Sequence, residues 1–149
     1  MSTNKRHLKA TPARVYAALS DGWDYASWVV GASHIRDVDA GFPNPGTRIH
    51  HAVGPWPLCI RDTTEVEVCE PDHRLVLRAR LWPFGEARVE LTVEPDGAGT
   101  LLTMVETPQA GPMRLMGPAG HAMLVVRNTE SLSRLAARVE NDRYRIDPV

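Results

Sequence analysis

"RLVLRARLWPFGEARVELTVE", residues 74–94, alternates with period two on both sides of one tight turn. Leu75, Leu77, Ala79 and Leu81 share one face, and Arg78 and Arg80 take the other. After the turn PFGE, Val89, Leu91 and Val93 face one way, and Arg88, Glu90 and Glu94 face the other. Strand side chains point alternately to opposite faces, so this pattern predicts an antiparallel hairpin with one dry and one wet face. Arg78, Arg80, Arg88 and Glu90 then read as cross-strand charge pairs on the wet face, each of small energetic weight. An arginine clamp for an acidic ligand is the alternative reading of the same side chains.

The same period extends outward. Upstream, SHIRDVDA (33–40), RIHHAV (48–53) and CIRDTTEVEVCE (59–70) are strands, separated by GFPNPGT, by GPWP and, before residue 74, by PDHR. In the last of them Thr64, Val66 and Val68 oppose Glu65 and Glu67. Downstream, PDGAG turns into TLLTMVET, residues 100–107. Short strands joined by Pro/Gly turns predict an antiparallel meander of six strands. The strand 100–107 fits two registers. In one, Leu102, Met104 and Glu106 face inward, and Glu106 becomes a buried carboxylate suited to general-base work. In the other, Leu101, Thr103 and Val105 face inward and Glu106 joins the outer charges beside Glu90 and Arg78. The outward register is preferred, with the inward one left open.

Helical periods flank the meander. A brief strand near residues 4–10 precedes KATPARVYAALSD, in which Thr11 is a natural N-cap and Pro12 suits the first helical position. Val15, Ala18 and Leu19 make its apolar face. WDYASWVV reads as a second short helix anchored by Trp23 and Trp28. A long helix is predicted over roughly 118–141. His121, Leu124, Val125, Asn128, Leu132, Leu135, Ala136 and Val139 fall on one side of it. That stripe is apolar except at His121 and Asn128. Its outer face carries Arg127, Glu130, Arg134 and Arg138, with Glu130 and Arg134 spaced for an i,i+4 pair. The dry face of a bent sheet must be covered, and this helix is the main candidate.

Composition limits the function classes. The 149 residues fit one domain over 1–149, with 43% apolar and 23% charged residues and a net charge of −1. Acidic and basic residues are interspersed, which argues against nucleic acid as a partner. The N-terminal residues lack the apolar run of a signal peptide, and no stretch approaches the length of a membrane span. A cytoplasmic protein is expected. Cys59 and Cys69 form no CxxC motif and are expected to be reduced thiols packed as small hydrophobes. GxGxxG, P-loop, GxSxG and HExxH motifs are absent, so no cofactor is called for. His50 and His51 are adjacent on a strand and face opposite ways, so they cannot share a metal ion, and no metal site is expected. Of the two, His51 is expected inward.

This order of elements resembles the SRPBCC superfamily, the START-like helix-grip proteins that include the pollen-allergen fold and the polyketide cyclase/dehydrase group. The resemblance rests on TPARVYAALSDGWDYASWVVG, PGTRIHHAVGPWP, RLVLRARLWPFGEARVELTVE, GTLLTMVE and RNTESLSRLA, which with their connections span nearly the whole chain. It implies an α+β helix-grip fold. A curved antiparallel sheet of about seven strands would wrap around the long C-terminal helix, with two short helices after the first strand. It also implies a cavity between sheet and helix for an apolar ligand.

His121 and Asn128 would then border the cavity, with Leu124, Val125 and Leu132 beside them on the helix. His51, Leu77 and Met104 would line it from the strands, and Trp28 and Trp56 would serve as walls. Met113, Leu115 and Met116 are apolar residues in a Gly/Pro-broken loop, suited to a lid or a plug, with Met113 and Met116 facing the ligand. GPWP would be a second rim element. Three functions follow. The first is binding of a small hydrophobic ligand, aromatic or polyketide-like. The second is a cyclase/dehydrase-type enzyme working by general acid–base chemistry, with His121, His51, Tyr16 and Glu106 as candidates. The third is a chaperone-like or toxin-like interaction module that uses the 108–120 loop. The oligomeric state is not encoded in any of these features.

Overall fold

The computed structural model describes residues 1–55 and 57–141. Strand β1 (Ser2–Leu8) leads to helix α1 (Pro12–Leu19), a 3-10 turn at Gly22–Asp24 and the short helix α2 (Tyr25–Trp28). Six strands follow: β2 (Ala32–Val38), β3 (Arg48–Val53), β4 (Ile60–Glu70), β5 (Arg74–Leu81), β6 (Gly85–Asp96) and β7 (Gly99–Ala110). A second 3-10 turn at Pro112–Leu115 precedes α3 (Pro118–Glu140). The seven strands form one antiparallel sheet in the order β1-β7-β6-β5-β4-β3-β2. This is the helix-grip α+β architecture: a meander from β2 to β7, with β1 closing on its last strand.

The local chemistry accounts for the elements. Thr11 caps α1, its hydroxyl accepting from the Arg14 amide, and Pro12 sits in the first turn. Register shifts interrupt the β4–β5 pairing between Val66 and Val68 and the β6–β7 pairing between Glu86 and Ala87. Such bulges bend strands, and a bent sheet can wrap a helix. On the wet face, Arg78 meets Glu65 and Glu67, Arg88 meets Glu67 and Glu90, and Arg80 meets Glu86. These pairs shield the outer sheet surface and contribute little stability each.

The core gathers at one end of the sheet–helix gap. Leu132, Leu135, Ala136 and Val139 from the C-terminal half of α3 are buried with Leu8, Val15, Leu19, Leu75, Leu91 and Leu102. The end of α3 is held by the Arg14 guanidinium, which donates to the Val139 carbonyl at 2.5 Å. Trp28 is fully buried. Trp23, expected as a second anchor, is 60% exposed. It lies in the 3-10 turn rather than on a continuous helix, which takes its ring off the packed face.

Three further expectations need correction. The first strand begins at Ser2, earlier than residue 4. Its inward residues Ser2 and Asn4 are polar and disguise the strand period. Both bond to α3: Ser2 Oγ accepts from Asn128, and Asn4 Nδ2 donates to the Val125 carbonyl and to Thr129. The preferred register of 100–107 is overturned, since Glu106 faces inward with only 2% of its surface exposed. Leu102, Met104 and Glu106 stand opposite Val93, Leu91 and Val89, all of which face the interior. Residues directly opposite in an antiparallel pair share a face, so the neighbouring strand fixes what β7 alone leaves ambiguous. Finally, Arg127 and Arg138 do not form an outer helical face with Glu130 and Arg134. Arg127 turns back to Glu106 and Arg138 pairs with Asp24, while Glu130 and Arg134 do form an ion pair at 2.8 Å.

Candidate functional site

The middle of α3 faces a cavity of about 240 Å³ over the sheet. One wall is α3, through Arg127, Asn128 and Ser131. A second is the inner sheet face, including His51, Thr64, Ala87, Val89, Met104 and Glu106. Tyr25, Val29 and Val30 close the third side, and Met113 from the second 3-10 turn closes another. Gly31 and Arg80, both exposed, mark where the cavity meets solvent. Most of the lining is apolar, the usual make-up of a small-molecule pocket.

The polar groups are concentrated around Glu106. Its Oε2 accepts from Arg127 Nη2 at 2.5 Å and from Asn128 Nδ2 at 2.7 Å. Asn128 Oδ1 accepts in turn from the Arg127 guanidinium, and Asn128 Nδ2 also donates to Ser2 Oγ. The asparagine is therefore saturated, and the cluster ties β1, β7 and α3 together. Ser131 Oγ accepts from the Val30 amide at 3.0 Å, which fixes the chain after α2 to the helix. Tyr25 is buried beside the cluster. Its ring meets that of Trp28 edge-on, at 4.8 Å between centroids and 62° between planes. Burial, with the nearby Glu106 charge second, pushes the Tyr25 phenol above its ordinary range and keeps it protonated.

His51 forms a second polar station. Its Nε2 lies 2.9 Å from Thr64 Oγ1, and its Nδ1 is buried without a partner. Burial is the main cause that lowers its pKa, so the neutral imidazole is favoured; Asp62 opposes the shift, and Arg36 and His50 add to it. His50 points the other way and pairs with Asp39 at 2.8 Å. Among the described residues no group of three His, Cys, Asp or Glu side chains is placed to hold a metal ion. No helix among them is long and apolar enough to cross a membrane.

The residues singled out from sequence are distributed unevenly. His51, Met104, Glu106, Met113 and Asn128 line the cavity. His121 does not: it is exposed on the first turn of α3, against a separate cleft of about 170 Å³. Leu124 and Met116 belong to that cleft, and Met113 is shared between the two. At this first turn the stripe faces a cleft shared with Thr107 and Pro108 of β7, and His121 stays exposed there. Val125 is half-buried beside β1, while Leu132, Leu77 and Trp28 are in the packed core. Tyr16 is also a core residue, its hydroxyl 3.1 Å from Cys69 Sγ. Cys59 and Cys69 are free and half-buried. Trp56 lies outside the described residues.

The 108–120 segment is split in character. Met113 is buried and Leu115 is 88% exposed, so the loop presents no continuous apolar patch from Met113 to Met116. Sequence reading missed Tyr25, Arg127, Thr64 and Ser131 as cavity residues. Thr64 alone had a signal, as the inward polar residue among Val66 and Val68.

Fold and cavity together define a helix-grip protein with an internal ligand-sized space. Residues 2–140 match the family described as polyketide cyclase / dehydrase and lipid transport, and the chain belongs to that family. Among solved structures, a protein of Rhodobacter sphaeroides is similar at 27% identity and a TM-score of 0.71, covering 93% of this chain and 91% of that one. Ara h 8.0201 is similar at 11% identity and a TM-score of 0.72, over 94% of this chain and 97% of its own. DynU16, a protein of the dynemicin biosynthetic locus, is similar at 21% identity and a TM-score of 0.67, over 97% of this chain and 49% of its own. The last two likenesses speak for the fold alone. No curated protein matches the chain.

Proposed function

We propose that this protein binds a small hydrophobic molecule in the cavity between the sheet and the middle of α3. The carrying observation is the cavity of about 240 Å³, apolar over most of its wall and polar at Glu106. Membership of a family described by both cyclase/dehydrase and lipid-transport activity supports an apolar cargo or substrate. The test is native mass spectrometry of the purified protein, followed by denaturing extraction and a fluorescence titration with a hydrophobic dye. A retained small molecule or saturable dye binding is expected. Ala87→Trp places a large ring in the cavity from a buried wall position, and it is expected to abolish binding while the protein stays folded. Dye binding that survives Ala87→Trp unchanged would move the ligand site elsewhere.

One observation favours a second reading, a cyclase/dehydrase-type enzyme. A carboxylate at Glu106 lines the apolar cavity and is suited to moving a proton on a bound ligand, whereas the ring nitrogens of His51 are engaged with Thr64 or buried. His121, exposed outside that cavity, and Tyr16, in the core, drop out of the candidate set on this reading. Turnover of an extracted ligand or a poly-β-keto model compound, lost in Glu106→Gln while binding persists, distinguishes the enzyme from the carrier.

A further inference from the structure

We propose that the ligand is an uncharged molecule bearing a hydroxyl group, phenolic or enolic, on an apolar body, with that hydroxyl seated between Glu106 Oε1 and the Tyr25 phenol. This deepens the binding function proposed above and rests on it.

The two oxygens of Glu106 are used unequally. Oε2 accepts from both Arg127 and Asn128, whereas Oε1 has no hydrogen-bond partner among the described residues. Glu106 is nevertheless almost fully buried and lines the cavity. Oε1 is not among the sealed, unpaired polar atoms, so a donor arriving in the cavity can reach it, and a ligand that covers it without donating would leave it unsatisfied. Tyr25 lines the same cavity, and its hydroxyl also lacks a partner among the described residues. A phenol both donates and accepts. A ligand hydroxyl has the same two capacities, so one such group can donate to the carboxylate and accept from the tyrosine. A ligand carbonyl could accept from Tyr25 but would leave Glu106 Oε1 unsatisfied.

Charge narrows the class further. Arg127 already balances the Glu106 carboxylate. The pair is neutral overall, so the cavity offers a charged ligand of either sign no net counter-charge. In an apolar cavity neither ion recovers its lost hydration. His51 offers no comparable seat, because its Nε2 is engaged with Thr64 and its Nδ1 is sealed from the cavity space. Val29, Ala87, Val89 and Met104 surround the remaining volume, which accommodates an apolar body of about two fused rings.

The test uses four probes of one shape at neutral pH: 2-naphthol, 2-methoxynaphthalene, 2-naphthoate and 2-naphthylmethylammonium. Affinities are measured by calorimetry on the full chain. The expected result is 2-naphthol tightest, by about tenfold or more over the methoxy compound, as for one hydrogen bond to a charged group. Tyr25→Phe and Glu106→Gln should each reduce that ratio, and Tyr25→Phe leaves the ion pair intact if Glu106→Gln perturbs the fold. Equal binding of naphthol and methoxynaphthalene, or tighter binding of either ion, overturns the hydroxyl inference while leaving the cavity a binding site. If none of the four binds, the binding function itself is overturned and this inference falls with it.

Discussion

Glu106 on β7 and Arg127 on α3 form an ion pair at 2.5 Å across the gap between sheet and helix. The carboxylate is in the cavity wall and the guanidinium is about one-third exposed, so the pair joins the interior to the surface. Removing one partner of a buried pair is costlier than the pair is worth, because the other is left uncompensated. Arg127→Met is therefore expected to destabilise the fold by about 2 kcal/mol, less than the roughly 3–5 kcal/mol of a wholly buried pair. Asn128 remains as a donor to Glu106 and limits the loss. Adding Glu106→Gln to Arg127→Met should recover part of the stability, and urea unfolding of the single and double variants measures the coupling.

His51 sets a pH dependence with a defined sign. Burial lowers its folded-state pKa beneath the ordinary histidine value, while the unfolded chain keeps the ordinary one. Above the ordinary value both states are neutral and His51 adds no pH dependence. As pH falls below it, the unfolded state takes up the proton first, so stability drops until the lower folded-state value is passed. The expected outcome is a decline in unfolding free energy beginning near pH 6.5, flattened in His51→Gln. Asp39, Glu65 and Glu90 act elsewhere on the scale. Their pKa values are lowered, chiefly by hydrogen bonds from His50, Arg48 and Arg74 respectively, so their contributions are lost in more acidic solution. The difference between the native protein and His51→Gln in urea titrations across roughly pH 5 to 8 isolates the His51 contribution.

Asp24 and Arg138 hold α2 against α3. Arg138 Nε donates to Asp24 Oδ2 at 2.6 Å, and a second guanidinium nitrogen reaches Oδ1. Asp24 is buried and immediately precedes Tyr25. Arg138→Leu is expected to cost about 3 kcal/mol, in the range for breaking a buried pair. The exposed pair Glu130–Arg134 on the same helix is the control: Arg134→Ala should cost less than about 1 kcal/mol. Because α2 supplies Tyr25 to the cavity, hydrogen exchange in Arg138→Leu should rise first around residues 22–30.

The sequence makes the fold far more legible than the site. The hairpin 74–94 announces itself because its two faces differ sharply in polarity. β7 does not, because Leu101, Thr103 and Val105 are half-buried on the outer face and resemble its inner face. Its register is decided by Val89 and Leu91 across the strand pair, a relation between segments. The helical stripe correctly lists Asn128 with Leu132 and Leu135, but periodicity says nothing about how far the sheet extends beneath it. His121 shares the stripe but is exposed in a separate cleft beside Thr107 and Pro108. Arg127 lies one residue from Asn128, and its long side chain curls back to Glu106, a reach that no spacing rule encodes. Tyr25 becomes a site residue only because the helix of four residues after the 3-10 turn faces the middle of α3.

The cavity's lower rim depends on two glycines that touch. Gly85 at the start of β6 has φ +125°, and a Cβ there would lie 1.9 Å from the Ala110 carbonyl oxygen. Gly111 opposite has φ +76°, and its Cβ would meet Gly85 Cα at 2.6 Å. Their approach lets the Met113 amide donate to the Phe84 carbonyl at 3.0 Å, which seats Met113 in the cavity wall. Gly85→Ala therefore incurs a steric clash with backbone as well as the strain of positive φ. Gly97→Ala is the control, since Gly97 has φ +60° and a Cβ added there would meet no atom within 4 Å. The control should lose about 1–2 kcal/mol from backbone strain alone. Gly85→Ala should lose clearly more, and it should also weaken dye binding by displacing Met113 and Ala87. Urea unfolding paired with dye titration checks both effects. Equal losses in the two variants would mean that the β6–β7 end relaxes freely and does not shape the cavity.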